Sequence, residues 1–118
     1  MKKPPGKKWF AFSIFGLPWV VHIIPANHPS MRKGDLAGFC CTEQRLIGLS
    51  DSLSIEQLRT TFVHELQHVI EDHADVNYER AVCAEVSDRC TDMVARGWLY
   101  FMREHPKIVA MLRDEPTP

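Results

Sequence analysis

Apolar and polar positions change their spacing near the middle of the 118-residue chain. In the first half, short apolar runs rich in β-branched and aromatic residues are bounded by proline, glycine or polar residues, which is typical of strands. These runs are residues 17–24, 36–42 and 45–50, and the last two predict a β-hairpin. Residues 9–15 are equally apolar, but their periodicity fits either a strand or a short helix. The segment 25–35 contains two prolines and predicts a loop.

In the second half, apolar positions recur at helical spacing. Ser54 followed by Gln57 is a capping-box sequence, and the apolar positions after it predict a helix over residues 54–73. A second apolar stripe predicts a long helix over about 78–103, which Pro106 ends or interrupts. The sequence therefore predicts an α+β fold, in which a small antiparallel β-sheet packs on the first helix and on the long helix that follows.

Length, charge and cysteine content narrow the class of protein. The chain suits one domain with a modest core, and a net charge of −1 gives no general attraction to nucleic acid. We expect a flexible basic tail at 1–8, one domain at 9–112 and a frayed end at 113–118. The apolar run after the tail is interrupted by Pro18 and is too short for a membrane span. Four cysteines without a CxxC pair favour reduced thiols in a cytoplasmic protein.

The predicted helix 54–73 carries the sequence His-Glu-x-x-His. His64 and His68 are four residues apart, so they project from one face of the helix and can bind one zinc ion. Zinc lowers the pKa of a water molecule that it binds, and Glu65 is placed beside the metal, where its carboxylate can accept the proton. This spacing predicts a zinc site with His64 and His68 as ligands and Glu65 as the catalytic residue.

A third ligand is needed, and the following helix offers acidic candidates. His73 lies five residues after His68 and points to another side of the helix. If the two helices form an antiparallel hairpin about a turn near residue 75, Glu85 is level with the two histidines. Glu85 is therefore the predicted third ligand, and Glu79 is the main competitor.

Further residues on the second helix have supporting roles in this prediction. Asp88 and Asp92 share a face with Glu85, and either carboxylate could accept a hydrogen bond from the free N–H of a ligand histidine. Tyr78, Tyr100 and His105 are candidates to stabilise an oxyanion, and the sequence does not choose among them.

The segment GFCCTEQRLIGLSDSLSIEQLRTTFVHELQHVIEDH (38–73) resembles the core of the ImmA/IrrE-type metallopeptidases. In that family a β-hairpin leads into a helix with the pattern S-x-E-Q-x-x-x-x-x-x-H-E-x-x-H. The matching residues here are Ser54, Glu56, Gln57, His64, Glu65 and His68. The resemblance implies a gluzincin-type zincin fold, in which the two histidines bind zinc, Glu65 is the catalytic glutamate and a glutamate of the next helix completes the site.

Members of that family often cleave a repressor that controls a mobile element or a stress response. The resemblance therefore implies a zinc-dependent endopeptidase, with a specific regulatory protein as substrate, from a phage or another mobile element. The strand at about 44–50 is expected to align an extended substrate along its edge. The alternative is a non-catalytic regulatory or binding protein on a zincin scaffold, with zinc structural or absent.

Overall fold

The structure, a computed structural model, describes residues 3–73 and 84–114, with the backbone alone for residue 33 and residues 84–92. Within these residues it contains a four-stranded sheet and three α-helices. The strands are β1 (Lys7–Ile14), β2 (Leu17–Ile24), β3 (Gly38–Cys41) and β4 (Leu46–Ser50). The helices are α1 (Ile55–His73), α2 (Ala84–Glu104) and α3 (Pro106–Arg113), and a 3₁₀ helix covers Pro29–Gly34. The predicted α+β class is confirmed.

The sheet is mixed, whereas the sequence predicts an antiparallel one. Its strand order is β1-β2-β4-β3, and β2 and β4 are parallel while the two outer pairs are antiparallel. All five residues of β4 are buried. A short strand buried along its whole length is typical of a central position, with a neighbour on each side. The predicted hairpin forms as β3 and β4, and β4 rather than β3 lies beside β2.

A tight turn joins β1 to β2. Phe15 has φ of 52° and Gly16 has φ of 76°, so both central residues are left-handed, as a type I′ hairpin turn requires. Such a turn matches the right-handed twist of the two strands it connects. Residues 9–15, for which the sequence leaves helix and strand open, therefore belong to a strand and its turn. This strand begins at Lys7, two residues before the predicted boundary of the basic tail.

Helix α1 follows its prediction closely because its signals are local. The Ser54 amide donates to Gln57 Oε1 at 2.9 Å, and the Gln57 amide donates to Ser54 Oγ at 3.2 Å, which forms the reciprocal capping box. The helix then packs one face against the sheet. The buried apolar residues of this face are Phe62, Leu66, Val69 and Ile70, which join a core with side chains from β1, β2, β4 and α2.

Helix α2 packs against this core through its C-terminal half. Phe101 is 1% exposed, and its ring lies 5.7 Å from that of Phe12 in β1. The helix ends at Glu104, and Pro106 begins α3, as expected for a proline that cannot continue a helix but suits its first turn. Residues 78–83 of the predicted long helix lie outside the described residues. In the described part of the chain, no helix has the length and apolar character needed to span a membrane.

Candidate metal centre

His64 and His68 face each other on the exposed side of α1. Their Nε2 atoms are 3.2 Å apart, and the ring centroids are 4.8 Å apart with the planes at 81°. Two imidazole nitrogens bound to one tetrahedral zinc ion, at about 2.0–2.1 Å each, are about 3.3–3.4 Å apart. The side-chain rotamers therefore already place two nitrogen donors at nearly the separation that a shared zinc ion requires. Without metal, one N–H can bridge the same two nitrogens.

The histidine pair lies between the sheet edge and α2. On one side of α1, a Cβ added to Gly38 of β3 would lie 2.8 Å from Cγ2 of Thr61, so that side of the helix adjoins β3. On the other side, Trp98 of α2 donates a hydrogen bond to Gln67. At about 100° per residue, the pair falls in the sector between these two contacts. The pair therefore lies on the solvent-exposed side of α1, between the side that adjoins β3 and the side that adjoins α2.

Glu65 occupies a different environment from the histidines. It is only 8% exposed and hydrogen-bonds to the thiol of Cys40 in β3. Burial raises the pKa of the Cys40 thiol to about 11, and the negative charges of Glu65 and Asp72 contribute. The thiol therefore stays protonated at neutral pH and is able to donate to the carboxylate. Glu65 is held on the strand side of the histidine pair.

Strand β3 forms the outer edge of the sheet on the side of Glu65. The sequence analysis assigns the substrate-aligning edge to residues 44–50, but the strand in this segment, β4, pairs with β2 on one side and with β3 on the other. Its backbone groups are therefore already used. The edge adjoining the candidate site belongs to Gly38–Cys41, which is β3. An extended peptide added to β3 would run beside Cys40 and Glu65.

The register between α1 and α2 differs from the predicted one, a hairpin about residue 75, on which the choice of Glu85 depended. Trp98 contacts Gln67, and a Cβ added to Gly97 would lie 2.7 Å from Cγ2 of Ile70. These antiparallel contacts are symmetric about a point near residue 83, not near residue 75. The difference arises because Gly97, which lacks a side chain, provides the close approach between the two helices.

This register moves the acidic half of α2 away from the histidine pair. Glu85 lies 12 residues before Gly97, which is roughly 18 Å along the helix axis. Asp88 and Asp92 also precede Gly97, so the backbone of α2 does not bring these three residues level with His68. The side chains of all three lie outside the described part of α2, and Glu79 lies in the undescribed segment.

The described side chains do not include a complete set of metal ligands. No group of three His, Cys, Asp or Glu side chains able to hold one ion is found among them. The acidic side chain beside the pair is Glu71, whose Oε2 lies 3.5 Å from Nδ1 of His68. Sequence reasoning did not assign a role to Glu71, although its spacing of three residues from His68 and seven from His64 places it on their face.

The other histidines are engaged elsewhere. The ring of His73 stacks on Phe15 with centroids 3.9 Å apart, at the end of the β1–β2 hairpin. Nε2 of His105 lies 2.7 Å from the carbonyl oxygen of Ser13, which ties α3 to β1. His105 is therefore occupied away from the histidine pair. Tyr100 is 43% exposed, and Tyr78 lies outside the described residues.

A cavity of about 270 Å³ lies one helical turn beyond Glu65. Trp19 and Val69 form apolar parts of its wall, and Arg45 and Asp72 contribute charged groups. This volume is below the usual range for drug-sized ligands, about 300–1,000 Å³, and suits a single side chain of a larger substrate. The cavity lies toward the C-terminal end of α1, where Thr42 and Glu43 of the β3–β4 turn also line it.

Comparison of the chain with protein-family models, with curated proteins and with solved structures finds no match. The resemblance to the ImmA/IrrE-type metallopeptidases therefore stays a prediction from the motif.

Proposed function

We propose that the protein is a zinc-dependent endopeptidase that cleaves a specific regulatory protein. The observation that carries this proposal is the 3.2 Å separation of the His64 and His68 Nε2 atoms, next to the buried carboxylate of Glu65. Two donors preset at this separation fit one zinc ion, and the adjacent carboxylate supplies a proton acceptor. The resemblance of residues 38–73 to the ImmA/IrrE-type core leads to the same activity.

In the proposed mechanism, His64 and His68 would hold zinc. When bound, zinc would polarise the scissile carbonyl and lower the pKa of the attacking water. Glu65 accepts the proton of that water and later delivers it to the leaving amine. The Glu65 carboxylate lies beside the Cys40 thiol, on the strand side of α1, where the edge of β3 would align the substrate backbone. An acidic residue would complete the site, and Glu85 and Glu79 are the candidates from the sequence.

The form of the site supports a narrow substrate class. The edge of β3 is only four residues long, and the cavity near the C-terminal end of α1 accepts about one side chain. So short a binding surface favours a partner that docks elsewhere on the protein as well, over general proteolysis. A co-encoded repressor of a mobile element fits this description and is the partner that the family resemblance implies.

A cleavage experiment with a matched variant tests the proposal. The full chain, loaded with zinc, is incubated with a peptide library and with a candidate repressor, and the products are identified by mass spectrometry. Glu65→Gln should retain zinc, measured by elemental analysis, while cleavage falls by about 10²–10⁴-fold because the proton acceptor is lost. A wild-type protein that binds no zinc, or products that are the same in Glu65→Gln, would refute the enzyme.

The second candidate is a non-catalytic binding protein on the same scaffold. It is supported by the exposure of His64 and His68, which leaves that side of α1 open to a partner. In that case a repressor would bind stoichiometrically, remain intact, and bind equally well to Glu65→Gln. The same incubation, followed by size-exclusion chromatography, separates the two candidates.

A further inference from the structure

Three side chains form a continuous set of contacts behind His68. Nδ1 of His68 lies 3.5 Å from Oε2 of Glu71. The other oxygen of that carboxylate, Oε1, accepts a hydrogen bond of 2.9 Å from Nε2 of Gln67. Gln67 Oε1 in turn accepts a hydrogen bond from the indole Nε1 of Trp98. The imidazole of His68 is thus linked through α1 to the neighbouring helix α2.

The direction of these hydrogen bonds is fixed by chemistry. An indole N–H can only donate, so the group of Gln67 that faces Trp98 must be its carbonyl oxygen. The amide nitrogen of Gln67 then faces Glu71 and donates to the carboxylate. The carboxylate is an acceptor only, so its Oε2, 3.5 Å from Nδ1 of His68, favours a proton on that nitrogen. The two hydrogen bonds of the set each have one compatible direction, and the ion-pair contact favours one tautomer of His68.

The consequence for His68 is a defined tautomer. A neutral imidazole carries one N–H, and a proton on Nδ1 leaves the lone pair on Nε2. Nε2 is the atom that lies 3.2 Å from Nε2 of His64. A metal ligand must present a lone pair, and a carboxylate that accepts from the other ring nitrogen both orients the ring and raises its basicity. Glu71 therefore favours the form of His68 that can bind metal.

We infer that Glu71 is a positioning residue of the proposed zinc site, held by Gln67 and Trp98, and that it presents Nε2 of His68 to the metal. This inference rests on the proposed function. A direct role of Glu71 as the third ligand is a different assignment. Its Oε2 faces Nδ1 rather than Nε2, so ligation would require the carboxylate to leave both of its present contacts.

The first test measures the tautomer in the metal-free full chain. With ¹⁵N-labelled histidine, long-range ¹H–¹⁵N NMR spectra at about pH 8.5, where imidazoles are neutral, distinguish a proton on Nδ1 from one on Nε2. We expect His68 to carry its proton mainly on Nδ1 in the wild type and to shift toward Nε2 in Glu71→Ala. A proton on Nε2 in the wild type, unchanged by the substitution, would overturn the inference.

The second test measures zinc affinity by competition with a chromophoric chelator. Loss of an outer partner of a ligand histidine typically weakens metal binding by about 10–100-fold, so we expect this loss in Glu71→Ala. Glu71→Gln retains an acceptor oxygen for Nδ1 and should lose less, whereas a direct ligand would be lost in both variants. Trp98→Phe, which removes the indole donor and keeps an aromatic ring, should lower zinc affinity a fewfold.

The experiment also needs a matched control substitution and a check that each variant is folded. Glu56→Gln removes another carboxylate of α1, one that pairs with Arg59 at 3.9 Å, and should leave zinc affinity unchanged. Circular dichroism checks that each variant is folded. If Glu71→Ala binds zinc within twofold of the wild-type affinity, the inference about Glu71 is overturned and the proposed function is not. A wild type that binds no zinc would overturn the proposed function, while the tautomer would still show whether Glu71 controls His68.

Discussion

The two sides of α1 that carry the proposed chemistry are built differently. Toward β3, Glu65 is 8% exposed and bonds to Cys40, whose thiol is also partly buried. On the solvent-exposed side, the side chain of His68 is 51% exposed, and its contacts are with His64 and Glu71 of the same helix. Tertiary packing therefore positions the proton acceptor, whereas helical spacing positions the metal donors. The comparison teaches that the glutamate of the motif is placed by contact with another element of the fold, whereas its two histidines meet through helical spacing.

The largest expected effects are a loss of stability for a substitution on the buried face of α1 and a loss of zinc affinity for one on its exposed face. Phe62 packs on the buried face of α1, and Phe62→Ala should lower the free energy of unfolding by about 3–5 kcal/mol because it leaves a cavity. His68→Ala changes an exposed side chain and should cost less than about 0.5 kcal/mol. Its zinc affinity should nevertheless fall at least about 100-fold, beyond the loss expected for an outer partner.

Urea denaturation of the metal-free proteins and chelator competition measure the two quantities. Val63→Ala, at a position that is 39% exposed beside Phe62, is the control for a truncation on the same helix. A large loss of stability in metal-free His68→Ala would contradict the conclusion that His68 contributes little to the packing of the fold.

A second prediction concerns the thiol that faces Glu65. A pKa of about 11, raised from 9.0, leaves about 100-fold less thiolate near neutral pH. The greater nucleophilicity of a high-pKa thiolate offsets part of this loss, so alkylation should be about tenfold slower than in the urea-unfolded chain. Glu65→Gln removes a negative charge, so the pKa of Cys40 should fall and the reaction accelerate. The pKa should stay above 9.0 because burial is the larger cause.

The rate of iodoacetamide labelling, followed by mass spectrometry in a Cys41→Ser background, measures this effect. Glu71→Gln removes a carboxylate from the other side of α1 and should leave the labelling rate of Cys40 unchanged. Equal rates in the wild type and in Glu65→Gln would show that the thiol and the carboxylate are not in contact.

Local signals account for the parts of the fold that the sequence predicts well. The capping box at Ser54 and Gln57 and the apolar spacing that follows fix α1 within one residue of its predicted start, because both depend on neighbours along the chain. The hairpin of β3 and β4 is predicted for the same reason. The motif within α1 needs only helical geometry to bring His64 and His68 together.

The features that the sequence does not predict depend on contacts between residues that are far apart along the chain. The parallel contact of β2 with β4 depends on a crossover through residues 25–45, and alternating apolar positions do not specify which strand lies beside β2. The contact of Gly97 with Ile70 is similarly non-local. The hydrogen bond between Cys40 and Glu65 also joins distant positions, so spacing within the motif does not reveal it.

The smallest expected effect tests the register between α1 and α2. Because Gly97 is level with Ile70, Glu85 lies roughly 18 Å further along α2, and Glu85→Ala should leave zinc affinity within about twofold of the wild type. Glu79→Ala is measured in parallel, because Glu79 is the other acidic candidate of the sequence analysis.

Zinc loss in Glu85→Ala alone would mean that the N-terminal half of α2 reaches the histidines, and the register from Gly97 would then not describe the metal-bound protein. Loss in Glu79→Ala alone would identify Glu79 as the third ligand. If both variants keep zinc while Glu71→Ala and Glu71→Gln lose it equally, the carboxylate beside His68 is itself the ligand, and the exposed side of α1 would then supply all three donors from one helix.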